Sequence, residues 1–210
     1  MLAFLSAHPV DPTFSGPAAT ARQVHATRTR LLLVAGQLFQ QRGYHATGLN
    51  EILLLSETPK GSLYHHFPGG KSELAEACVT RIADGTVAAI DQAAETGTDI
   101  IGFLQTLARE TADWLERTGW RDGSLLAMIG QEEGGSDSAL SEAVRIAYQR
   151  IEMRLTKWLM NEGIMAARAR DIAATIIASH EGALVLSRSR RDSAPVKLVA
   201  DILCKLVERG

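Results

Sequence analysis

From Leu31 onward, apolar residues recur at the spacing of helices and nowhere at the alternation of strands, a pattern that confines the chain to an all-α architecture. Leu31, Ala35, Leu38 and Phe39 fall at i, i+4, i+7 and i+8, one stripe of an amphipathic helix that Gly43 closes as its C′ residue. Thr47 or Gly48 opens a second short helix through Leu55. Thr58 as N-cap, with Pro59 at the first helical position, opens a third. Phe67-Pro68-Gly69-Gly70 ends it within about three turns. Three short helices joined by tight turns form a compact unit of the helix-turn-helix kind.

Longer helices follow. The periodicity predicts them over Lys71 to about Glu95, Ile101 to Arg117, Ala139 to Asn161, Ala167 to Arg188 and Ala194 to Glu208. Between the second and third of these, residues 121–135 read as irregular, with a short apolar piece, Ser124–Gln131, between glycines. Three of the six prolines lie in the first 22 residues, so residues 1–24 read as a flexible tail, or as the product of a start codon placed too far upstream. The expected organisation is a tail, a head over 25–70 and a larger helical body over 71–210. At 210 residues, 46% hydrophobic and 22% charged, the chain has the composition of a soluble globular protein with a sizeable core. Its longest apolar runs are five residues, too short to cross a bilayer. The start, broken by Pro9 and Pro12 and lacking a basic stretch, makes a poor secretory signal. Two cysteines, Cys78 and Cys204, fit a reducing cytoplasm better than a disulfide scaffold.

Charge is distributed unevenly. Between Arg22 and Lys71 there are six basic residues against Glu51 and Glu57, with four of the six histidines; the remainder carries sixteen basic and twenty-two acidic residues. A basic head on an acidic body suits a polyanion partner at one end. The third short helix has the chemistry for it. A helix entering a major groove presents its early residues to base edges and phosphates. Here those are Thr58 and Lys60, then Gly61, whose missing side chain allows close approach, and Ser62. Tyr64, His65 and His66 follow as donors suited to phosphate oxygens. Leu63 and Phe67, at i and i+4, would face inward against the Leu31–Phe39 stripe.

The string KGSLYHHF, followed closely by the lysine and leucine of KSEL, resembles the recognition helix of TetR-family transcriptional repressors. PKGSLYHHFPGGK is similar to the LmrA-type subgroup, which regulates drug-resistance and efflux genes, and AGQLFQQRGYHATGLNEI resembles the family's first two helices. More loosely, HEGALVLSRSRRDSAP at 180–195 resembles the end of the subgroup's regulatory domain. The resemblance implies phosphate contacts at Thr47, Tyr64, His66 and Lys71, and base reading around Lys60, Gly61, Ser62 and His65. It implies a homodimer on palindromic double-stranded DNA, released by a small hydrophobic effector, with the last two helices forming a four-helix interface. Leu184, Val199, Ile202, Leu203 and Leu206 are the expected dimerisation residues. Two departures stand out: Glu57 where many members have a turn glycine, and Gly36 for a usual alanine inside the first helix.

Trp114, Trp120, Met128, Tyr148, Met153, Trp158 and His180 are candidates to line the effector cavity, although each alone is as well explained by core packing. His180 and Glu181 interrupt an apolar helix and would bond a ligand, a partner subunit or each other. Adjacent His65 and His66 point in different directions on a helix and lack a third ligand, so no metal is expected. No P-loop, GxGxxG, HExxH or GxSxG motif occurs, and nothing requires a cofactor. Two rivals stay open: an all-α small-molecule-binding protein with a vestigial head, and a helical enzyme. The sequence does not separate an activator from a repressor.

Overall fold

The computed structural model describes the backbone of residues 18–208 and the side chains of residues 25–208. Nine helices account for it, with no strand among the described residues: α1 (Ala18–Arg42), α2 (Leu49–Leu55), α3 (Lys60–His66), α4 (Lys71–Glu95), α5 (Ile100–Arg117), α6 (Leu125–Glu133), α7 (Ala139–Asn161), α8 (Ala166–Arg190) and α9 (Ala194–Glu208). Most of the expected tail lies outside the described residues, but α1 already begins at Ala18, inside the stretch assigned to it.

The head forms where the periodicity placed it. Leu31, Ala35, Leu38 and Phe39 of α1, Ile52 of α2, and Leu63 and Phe67 of and after α3 are buried in one cluster. Gly43, at φ +85°, ends α1. The α2–α3 turn is intact despite its glutamate: Glu57 sits in the left-handed region at φ +49°, while the Thr58 N–H reaches Leu53 O at 3.0 Å. One detail of the α3 start is corrected. Pro59 is the N-cap and Lys60 the first helical residue, and the Thr58 hydroxyl donates to Ser56 O rather than capping α3.

Behind the head, α4 packs on α7, α7 on α8, and α8 and α5 on α9, while α1 leans on α4 and α6. Asp99, Ser124 and Ser138 cap α5, α6 and α7 through their side chains, as short polar residues do at helix starts. The stretch expected to be irregular is more ordered than its composition suggested: α6 runs to Glu133 and buries Leu125, Leu126 and Ile129. A smaller apolar cluster joins α5, α8 and α9 around Trp114, Leu115, Leu184 and Val196. No described helix is long and apolar enough to cross a membrane.

Candidate nucleic-acid interface and ligand cavity

Burial divides α3 into two faces. Leu63 and the following Phe67 turn into the core, while Lys60, Gly61, Tyr64 and His65 are exposed and Ser62 and His66 half-buried. A Cβ at Gly61 would meet nothing within 4 Å, so the fold itself has no packing need for glycine there. The bare backbone faces outward. Tyr64 is 42% exposed, with its ring edge against Gly70, whose φ of +68° carries the chain into α4. Lys71 lies with its ammonium 4.3 Å from the centre of the Tyr44 ring, and partial burial lowers its pKa. Burial, with His65 and Arg28 nearby, lowers that of His66 and favours the neutral ring.

Two expected contacts are corrected. Thr47 is fully buried and its hydroxyl donates to Gly43 O at 2.7 Å, tying off the α1–α2 turn. Thr58 is buried as well, its hydroxyl engaged at Ser56 O. Both side chains serve the turns that aim α3 and present no surface to a phosphate. Arg28, which the motif did not single out, is exposed on α1 and stacks over Phe67 at 5.2 Å, adding a cation beside His66. Its signal in the sequence was only its membership of the basic segment.

A cavity of about 160 Å³ lies between α4, α5, α6, α7 and α8. Trp114, Tyr148 and His180 line it, with Phe103, Leu107, Leu126 and Ile176 as apolar wall. Leu184, expected at the dimer interface, is buried on this wall instead. Met153 is corrected outright: it is 67% exposed on the outer side of α7. Trp158 packs edge-on against Phe103 in the core at 5.2 Å, Trp120 half-buries in the turn after α5, and Met128 lies on α6 away from the wall. Glu181 is the polar centre of the cavity. Ser124 Oγ and the Tyr148 hydroxyl donate to its Oε1 at 2.9 and 3.0 Å, and burial raises its pKa. Burial holds His180 down to about 4, so its ring is neutral near neutral pH. Cys78 is buried against Leu32 O, with its thiol pushed up to about 12, which removes it from thiolate chemistry.

Helix α6 joins the two sites. Its cap, Ser124, bonds Glu181, while Glu132 near its other end accepts from the backbone N–H groups of Tyr44 and His45 at 2.6 and 3.1 Å, and Glu133 pairs with His45 at 2.9 Å. Residues 31–78 match the family described as bacterial regulatory proteins, tetR family, and residues 101–202 match the LmrA/YxaF-like C-terminal domain of transcriptional regulators. The chain is 32% identical to the HTH-type transcriptional regulator YxaF of Bacillus subtilis over 87% of its own length and 96% of that protein. It belongs to the TetR family of transcriptional regulators. A second Bacillus subtilis relative, the regulator LmrA, is 31% identical over 87% of this chain and 97% of its own. The fold of this TetR-family regulator also superimposes on a regulatory protein TetR from Rhodobacter sphaeroides, with a TM-score of 0.76 at 22% identity over 86% of this chain and 98% of the other.

Proposed function

We propose that this regulator is a cytoplasmic homodimeric repressor that holds a palindromic operator and releases it when a small hydrophobic effector fills the α4–α8 cavity. The observation that carries the reading is the divided face of α3. Its apolar side is locked into the head, and Lys60, Gly61, Tyr64 and His65 are left exposed on the other side, with Ser62 half-buried among them. In this reading residues 25–70 are the DNA-binding head and 71–210 the effector and dimerisation body. His66, Lys71 and Arg28 add phosphate contacts.

Pairing supplies the rest of the specificity. A single short helix reads few bases, whereas two related by a two-fold axis read successive major grooves roughly 34–36 Å apart. The surface for it lies on α8 and α9, where Val185, Leu186, Leu198 and Ile202 are exposed and Val199 and Leu206 half-buried. Leu203 is buried within the protomer and supports this face from behind. Footprinting on DNA flanking the gene, with and without hydrophobic small molecules, tests the proposal. A two-fold symmetric footprint that one compound abolishes is the expected result; a dimeric protein that protects no duplex at low salt would overturn it.

A further inference from the structure

The cavity wall contains polar atoms the fold leaves unbonded. Glu181 spends Oε1 on Ser124 and Tyr148, while its Oε2 is buried with no hydrogen-bond partner. The Thr111 hydroxyl, on the facing α5, is likewise buried and unpartnered. Native folds rarely leave such atoms unmatched, because losing water without gaining a partner costs stability. Both residues line the cavity, and what it lacks chemically is a hydrogen-bond donor for a carboxylate oxygen.

Charge narrows the ligand further. No lysine or arginine lines the cavity among the described residues, and the one basic side chain there, His180, is kept neutral by burial. An anion entering would meet a buried carboxylate with nothing to offset either charge. Size narrows it again: the volume of about 160 Å³ is close to that of apolar cavities that hold a single ring. Resting on the reading of this cavity as the effector site, we infer that the effector is a small lipophilic molecule whose polar group donates a hydrogen bond to Glu181 Oε2, as a phenol, alcohol or protonated amine does, and that carboxylates and phosphates are turned away. The Thr111 hydroxyl is placed to be the second polar contact.

The test is calorimetric titration of the full chain, without DNA, with four probes of one skeleton: para-ethylphenol, para-ethylbenzylamine, para-ethylbenzoate and para-diethylbenzene. The phenol and the amine are expected to bind about tenfold or more tightly than the benzoate and the hydrocarbon. Glu181→Gln keeps an acceptor for Ser124 and Tyr148 but puts an amide nitrogen in place of Oε2. It is expected to cost the amine about tenfold and the phenol less, which separates the cationic from the neutral donor. Should that variant fold poorly, Tyr148→Phe, which leaves the carboxylate in place, is expected to keep the order of the four probes. Equal binding of all four, benzoate binding as tight as the amine, or no binding at all overturns the inference. A gel shift of the same protein without ligand reports DNA binding separately, so failure of the ligand class and failure of the regulator reading give different results.

Discussion

Single residues show how sharply environment decides the role of a side chain. Gly36, in place of the alanine the family pattern favours, lies where an added Cβ would come no closer than 3.9 Å to Leu125 and 4.0 Å to Cys78, ordinary contact distances. Gly36→Ala is therefore expected to stabilise the protein by about 0.5–1 kcal/mol, read as a higher urea midpoint. His180 and Glu181, neighbours in the chain, pull stability in opposite directions with pH. His180 titrates near 4 when folded against 6.5 ordinarily, so the unfolded chain binds the extra proton between those values, and stability is lost as pH falls through that window. Glu181 is raised by burial, so its contribution is present below the ordinary carboxylate range and fades as pH rises through the folded value. The two slopes oppose each other in mild acid. Glu181→Gln is expected to steepen the rise of the urea midpoint from pH 4 to 6.5, and His180→Gln to flatten or invert it. The opposite order would sink the assignment.

Among the elements, α6 was the least legible in the sequence, and in the structure it packs against α1, α4 and α7. Its nine residues are flanked by glycines and carry a weak periodicity, and their helical state depends on the Ser124 cap and on burying Leu125, Leu126 and Ile129. At its C-terminal end Glu132 holds the Tyr44–His45 turn of the head, and just before its N-cap Gln41 donates to Asp122 at 2.8 Å and the Gly123 N–H reaches Gln40 O at 3.0 Å. Removing the clasp with Glu132→Ala is expected to cost about 1–2 kcal/mol, the low end of the scale for hydrogen bonds to a charged group because the site is partly exposed. It should also weaken the response of operator affinity to ligand, measured as the ratio of DNA dissociation constants with and without it. An unchanged ratio would remove α6 from the coupling. Signal transfer along α4, the lever suggested by its place directly after α3, would then carry the whole effect.

The whole molecule brings in symmetry and long-range charge. Tyr64→Phe and Lys71→Met are expected to weaken binding to all DNA sequences about equally, and Lys71→Met also to reduce the slope of log affinity against log salt by about one unit. Lys60→Ala or Ser62→Ala should instead change which operator is preferred. An unaltered salt slope for Lys71→Met would argue against phosphate contact. Ile202, 55% exposed on α9, is the better place to break the dimer than Leu203 beside it. Ile202→Asp is expected to give a folded monomer with lost operator binding. Sedimentation and a thermal melt on one sample check this, and a dimer that survives the substitution contradicts the α8–α9 interface.

The linear order of residues was enough to determine the helical class, the near-residue bounds of α4, α7 and α9, and the outward chemistry of α3, because periodicity, caps and glycine stops act within a few residues of one another. Which way a given side chain faces in the body was settled by neighbours distant in the chain. Met153 and Tyr148 share α7, and Ile202 and Leu203 adjoin on α9, yet one of each pair is exposed and the other is on the cavity wall or in the core. A local pattern carries no information about which helices close over it. The turns that Thr47 and Thr58 tie off, and the oxygen of Glu181 left without a partner, likewise exist only once those helices have packed.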